Sequence, residues 1–148
     1  MEEGIGLVSL IRDEFEIKKV DIRTLSPVAL AYIGDGIYEL IIRTIIVEQG
    51  SRAANQLHKI VTKFVNATTQ ANLAEAIWEI LTEEEQAVYK RGRNAKVNTS
   101  AKNALITDYR KATGLEALMG YLYLKEEKER MLFLVKEGLH KLDANIIR

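Results

Sequence analysis

"AYIGDGIYE", residues 31–39, sets an aspartate between two glycines inside a run that is otherwise strongly apolar from Val28 to Val47. Both ends of that run are marked. Ser26 offers an N-cap oxygen, and Pro27, the only proline, occupies the first helical position, where a missing N–H leaves nothing unsatisfied. Gly50 is a natural left-handed stop, so a helix is predicted from Pro27 to Glu48. Each glycine inside it costs up to about 1 kcal/mol relative to alanine, and something must compensate. Without a Cβ on either side, another helix, a subunit or a ligand backbone can come close to the Asp35 carboxylate. The plainer alternative makes Asp35, Glu39 and Arg43, spaced by four, one solvated polar stripe ending in an ion pair. It suits Glu39 and Arg43 better than Asp35, because a solvated stripe leaves the glycines unexplained.

The 148 residues suffice for one domain with a proper core and are too few for two ordinary ones, so a single domain over 1–148 is expected, with 1–24 as a short helix or extended arm. Basic and acidic residues balance at 21 each, so any attraction to nucleic acid must be local. The absence of cysteine excludes disulfides, thiolate zinc sites and cysteine nucleophiles, and fits a reducing cytoplasm. The start, "MEEGIG", is acidic and lacks the basic and apolar regions of a signal peptide. Val28 to Val47 is long enough to span a bilayer, but Asp35, Glu39 and Arg43 would each cost roughly 2.5 to 3.5 kcal/mol near its centre, which points to a core helix.

The remaining pattern is also helical. Leu57, Ile60, Val61 and Phe64 place a helix within Arg52 to Val65, and another spans about Ala67 to Leu81. Thr82 and Glu85 have the spacing of a capping box, starting a short helix through Val88 toward Arg91. Residues Gly92 to Lys102 show no apolar period and are expected as loop. Helical patterning resumes near Tyr109 through Leu124, then from Glu127 to about Leu142, where acids come first and His140 and Lys141 last, as the dipole favours. No run alternates as a strand does. The fold class is all-α.

A second segment resembles the first in character. In "TGLEALMGYLYL", residues 113–124, Glu116 is the only charge between Lys111 and Lys125, and Gly114 and Gly120 lie near it. A buried unpaired carboxylate is costly, so Glu116 needs a partner, a proton or a cation. Two such acids suggest a shared cation; oxygen ligands without cysteine, and with His58 and His140 as the only histidines, favour Mg²⁺ or Mn²⁺ over zinc. Taken singly, each acid is equally well a structural hydrogen-bond acceptor. His58 reads as a helix-surface or capping residue, and Trp78, Tyr121 and Tyr123 as core or interface.

The third feature is "KRGRNAKVNTSAKN", residues 90–103, in which Lys90, Arg91, Arg93, Lys96 and Lys102 sit among Asn94, Asn98, Thr99 and Asn103 with no acid present. By itself such a run is a solvated loop offsetting Glu83, Glu84 and Glu85. Beside a two-acid cation site, basic, amide and hydroxyl side chains suit phosphates and sugars, the contacts that position a nucleic acid without reading its sequence.

These segments carry a resemblance. "ALAYIGDGIYE" resembles the signature helix of the ribonuclease III catalytic domain, "TGLEALMGYLYL" its second acidic helix, and "LHKIVTKFVNATTQANLAEAI" its linking helices. "EEEQAVYKRGRNAK" followed by "AKN" is similar to the miniature bacterial branch of that family, which has a catalytic domain and no appended double-stranded RNA-binding domain. The resemblance covers nearly the whole chain after about Leu25. It implies an all-helical, cytoplasmic homodimer that cuts double-stranded RNA with Mg²⁺, in bacteria the precursor of 23S ribosomal RNA, leaving 5′-phosphate and 3′-hydroxyl ends. Asp35 and Glu116 fall on the catalytic, metal-holding acids; Lys90, Arg91, Arg93, Asn94, Lys96, Lys102 and Asn103 are the expected RNA contacts. The larger enzymes carry one more acid a helical turn before each of these two, where this chain has Ala31 and Thr113, a reduction the miniature branch shares. The alternatives are a non-catalytic member of the same fold that binds RNA or the ribosome, which the intact Asp35 and Glu116 disfavour, and a helical protein-interaction module, which leaves both the acids and the basic segment unexplained.

Overall fold

The computed structural model describes residues 6–95 and 103–147, and among these there are α-helices and single 3-10 turns but no strand, as the all-α expectation requires. The long apolar helix forms where the sequence places it. This helix, α2, is the second in the chain and spans Pro27–Val47; Ser26 Oγ accepts from the Ala29 N–H at 3.0 Å, and Gly50 follows the helix end with φ +129°. A short helix, α1 (Leu7–Glu14), precedes it, and α3 (Ala54–Thr62) and α4 (Ala67–Ile77) follow. The last turn expected of α4 tightens into a 3-10 turn at Trp78–Ile80. Thr82 then caps α5 (Glu83–Arg93) through the expected box: the Thr82 N–H donates to Glu85 Oε1 at 2.9 Å and the Glu85 N–H to Thr82 Oγ1 at 3.1 Å.

Two boundaries differ from the expectation. α5 continues to Arg93, so Lys90, Arg91 and Arg93 are helical and Asn94 is the C-cap, not loop. The basic residues favour the C-terminal end of the helix dipole, and apolar periodicity, which α5 lacks there, is not needed for that. The next helix, α6 (Asn103–Leu124), begins six residues before Tyr109. From Leu105 to Arg110 its side chains are largely solvent-facing, with Leu105 56% exposed, so no core stripe announces this part of the helix. Lys96 and Lys102 lie outside the described residues. The last helix, α7 (Lys128–Lys141), agrees with its pattern.

α2 and α6 form the central pair; α4 and α5 flank α6, α7 packs on α4 and α6, and α3 on α2. Leu30, Tyr38, Ile42 and Ile46 of α2 meet Leu115, Leu118, Met119 and Leu122 of α6, with Leu73 and Ile77 of α4 and Leu134 and Val135 of α7, all fully buried. Each such side chain contributes about 1.5 to 3 kcal/mol on leaving water, and together they hold the central pair in register. α1 is tied to the α6–α7 corner, where Ser9 Oγ donates to Glu126 Oε1 at 2.7 Å. A second polar tie joins α5 to α7: Arg130 Nε and Nη2 donate to the two Glu85 oxygens at 2.9 and 2.8 Å, and Nη2 also to the Ile80 carbonyl at 2.7 Å. Among the described residues no helix is long and apolar enough to cross a membrane.

Candidate active site

The glycines determine how the acids meet. A Cβ on Gly34 would lie 1.7 Å from the Glu116 carbonyl oxygen, and one on Gly120 would lie 2.0 Å from the Leu30 carbonyl oxygen. The two helices therefore touch backbone to backbone at two reciprocal points. Asp35 follows Gly34 on α2 and Glu116 is the residue beneath it on α6, so this contact sets the two carboxylates side by side. Gly36 does something different: a Cβ there meets nothing within 4 Å. The expectation of close approach on both sides of Asp35 holds for Gly34 only within the chain, and Gly36 faces open space. Gly114 serves α5 instead, its absent Cβ making room for the Tyr89 ring at 2.7 Å.

Asp35 is exposed and Glu116 is half-buried. From α4, the buried Gln70, 4% exposed, donates Nε2 to Glu116 Oε2 at 3.1 Å. Burial, opposed by that hydrogen bond and reinforced by the charge and hydrogen bond of the Asp35 carboxyl, pushes the Glu116 carboxyl up to about 7. Tyr38, one turn beyond Asp35, is fully buried and turns its hydroxyl away to donate to the Phe64 carbonyl at 2.7 Å. Burial, and after it the Glu116 charge, raise its phenol above the usual range. The polar stripe divides as the sequence suggested: Arg43 pairs with Glu39, and Asp35 takes no part.

Neither acid belongs to an ion pair among the described residues. Two adjoining carboxylates, one of them driven toward protonation, are a donor set that a hard divalent cation satisfies better than a proton does. Among the described residues no group of three or more histidines or acids gathers, so the remaining ligands of such a cation would be water and substrate. Ala31 and Thr113 explain this directly. Both are buried, and Thr113 donates its hydroxyl to the Tyr109 carbonyl at 2.9 Å within its own helix.

The basic segment ends close by, because Tyr89 and Gly92 of α5 pack on Gly114 of α6, two residues before Glu116. Lys90 Nζ lies 5.4 Å from the Trp78 ring centroid and Arg93 Cζ 5.7 Å from that of Tyr89, while the two rings meet edge to face at 5.8 Å. Arg93 Nε also donates to Asn94 Oδ1 at 3.2 Å. These cations are held over aromatic faces rather than extended freely, and Arg91 is exposed. Trp78 packs, as expected, and Tyr89 packs against it. His58 stands exposed on α3.

Sequence reasoning missed Gln70. Its signal was present in "QANLAEAI": residues 70, 71, 73, 74 and 77 are the buried face of α4, and Gln70 is the one polar member of that stripe.

The all-helical fold thus brings one acid from each of its two longest helices together. Residues 28–127 match the ribonuclease III domain model, and the chain belongs to that family and is an endoribonuclease. The relatives are more particular. Mini-ribonuclease 3 of Enterococcus faecalis is 50% identical over 124 residues, covering 82% of this chain and 94% of its own. Mini-ribonuclease 3 of Streptococcus pneumoniae is 41% identical over 127 residues, covering 84% and 99%. A crystal structure of a Fusobacterium nucleatum protein superimposes with a TM-score of 0.69 at 34% identity, covering 78% of this chain and 93% of that one.

Proposed function

We propose that the protein is a Mg²⁺-dependent endoribonuclease, able to use Mn²⁺, that cuts double-stranded RNA as a homodimer and matures the 23S ribosomal RNA precursor. The observation that carries the proposal is the backbone contact at Gly34, which joins the Asp35 and Glu116 carboxylates into one site. These two side chains hold the cation, Asp35 from the solvent side and Glu116 from the core side. What Mg²⁺ supplies when bound is Lewis-acid stabilisation of the phosphate and a water acidic enough to attack at neutral pH. The chain's own contribution is placement. Asp35 stands exposed where an RNA backbone can reach it. Lys90, Arg91, Arg93 and Asn94, with Lys96, Lys102 and Asn103, hold phosphates and sugars, and selection is by A-form shape and 2′-hydroxyls rather than by sequence. In-line attack with departure of the 3′ oxygen leaves a 5′-phosphate and a 3′-hydroxyl.

The homodimer is supported by a stripe on α2. Val28, Tyr32, Leu40 and Val47 are exposed at helical spacing, Tyr32 to 84%, and Gly36 lies among them. An apolar face of this kind suits isologous pairing about a twofold axis, which would give one acid pair for each RNA strand. The ribosomal substrate rests on the resemblance to the miniature branch.

Labelled duplex RNA incubated with the protein in Mg²⁺ and in EDTA tests the proposal. Cleavage only in Mg²⁺, abolished in Asp35→Asn with RNA binding retained, is expected; binding without cleavage in either condition overturns it. Extended 23S precursors accumulating in cells that lack the protein would support the substrate assignment, and normal ends would remove it.

A further inference from the structure

We propose that Gln70 is a positioning residue of the active site, fixing the Glu116 carboxylate in the orientation that meets the cation. This rests on the reading of Asp35 and Glu116 as the cation-holding acids.

Gln70 occupies a core position of α4, with Ala71, Leu73, Ala74 and Ile77 on the same face. A buried amide costs free energy unless it is hydrogen-bonded, and an apolar residue would fill this position without that cost. The bond it makes is to Glu116 Oε2, at 3.1 Å across the α4–α6 interface. The direction of the bond matters. An amide nitrogen can only donate, so it engages one lone pair of the carboxylate and competes with neither oxygen's remaining capacity for a cation. A glutamate side chain has three torsions, and its neighbour Asp35 repels it whenever both are ionised. A donor that is itself immobilised between two helices removes that freedom and holds the carboxylate in place against the repulsion. Elsewhere, outer partners of ligating carboxylates and imidazoles typically contribute about 10- to 100-fold to metal affinity or activity. In a site with two protein acids rather than four, each acid's orientation carries more of the binding.

The test is Gln70→Met, close in length and volume and without a donor. Mn²⁺ binding to the protein without RNA, followed by the electron paramagnetic resonance of the free ion, is expected to weaken about 10-fold or more. With duplex RNA, kcat is expected to fall by a comparable factor, KM to stay within twofold, and the Mg²⁺ concentration for half-maximal cleavage to rise. The metal-free melting temperature is expected to stay within a few degrees, since replacing a buried amide by an apolar group offsets the lost hydrogen bond to Glu116. A purely structural role would move melting temperature and KM and leave Mn²⁺ affinity alone. Unchanged Mn²⁺ affinity in Gln70→Met, beside a loss in Glu116→Gln, overturns the proposal for Gln70 alone. Unchanged affinity in Glu116→Gln overturns the reading of the site beneath it. Gln70→Leu takes the same measurements if Gln70→Met does not fold, and failure of both to fold assigns Gln70 to the structure and overturns the proposal.

Discussion

The contact at Gly34 makes the same substitution, glycine to alanine, opposite in effect at positions two residues apart. In Gly34→Ala the new Cβ would stand 1.7 Å from the Glu116 carbonyl oxygen, whereas ordinary contact begins at 3.4 Å. The clashing atom is backbone, flanked by the Gly120 nitrogen at 2.8 Å, so no side-chain rotation relieves it. α2 and α6 must part by about 1.7 Å at their crossing. Overpacking in a core costs about 1 to 3 kcal/mol and more where neighbours cannot move, so at least about 3 kcal/mol is expected here. For a domain of this size each kcal/mol moves the melting temperature by about 2 to 4 °C, giving a fall of roughly 6 to 12 °C. The parting also carries Asp35 away from Glu116; a misplacement of about 1 Å can cost 100-fold in rate, and cleavage should fall at least that far. Within one chain Gly36→Ala meets nothing within 4 Å and gains helix propensity worth about 1 kcal/mol, so in a Tyr32→Glu background, where the exposed α2 stripe carries a charge and stays unpaired, its melting temperature should hold or rise by about 2 to 4 °C. Both variants are measured by calorimetric melting and by duplex cleavage at saturating Mg²⁺. Equal melting temperatures for the two, or a Gly34→Ala protein that melts and cleaves as wild type, would refute the close contact as the basis of the site.

Two acids should carry opposite pH signatures. Glu116 has its folded value raised above the unfolded 4.5 to about 7, so in metal-free protein stability falls as pH rises through that window. Glu116→Gln removes this term; its melting temperature should exceed that of wild type at pH 8, by an amount corresponding to about 1 to 3 kcal/mol, with the gap closing by pH 5. For Glu85 burial pushes the carboxyl up, and the Arg130 guanidinium with the Thr82 N–H more than offsets it, leaving it below the usual range. Its stabilisation is present above pH 4.5 and lost as pH falls through the folded value. Glu85→Gln should therefore cost about 2 kcal/mol at pH 7, less than a fully buried pair because Arg130 is partly solvated, and the difference should vanish in acid. Tyr32→Glu places a charge in the exposed α2 stripe and should convert a sedimenting dimer to monomer without lowering helical content; an unchanged dimer would move the interface elsewhere. Arg93→Ala should weaken duplex binding equally across sequences and flatten its log-log salt dependence by roughly 0.7 to 0.9, and an unchanged slope would remove Arg93 from the RNA contacts.

The helices were legible in the amino-acid sequence wherever local chemistry ends or buries them. Ser26, Pro27 and Gly50 bound α2, Thr82 and Glu85 start α5, and the apolar stripes of α3, α4 and α7 show which faces turn inward, because capping and periodicity are properties of neighbouring residues. Asp35 and Glu116 could be picked out for the same reason, as lone acids in apolar helices beside glycines. The start of α6 was not legible, since the largely exposed residues from Leu105 to Arg110 carry no core stripe. Nor was the division of labour among the glycines: Gly34 and Gly36 look alike in sequence, and only the crossing of α2 and α6 makes one a backbone contact and leaves the other open. The same holds for Gln70, which lies 46 residues from Glu116 and meets it only across a helix interface. Local free energies select the elements, but which side chains share a site depends on how those elements pack, and that is decided by contacts between residues far apart in the chain.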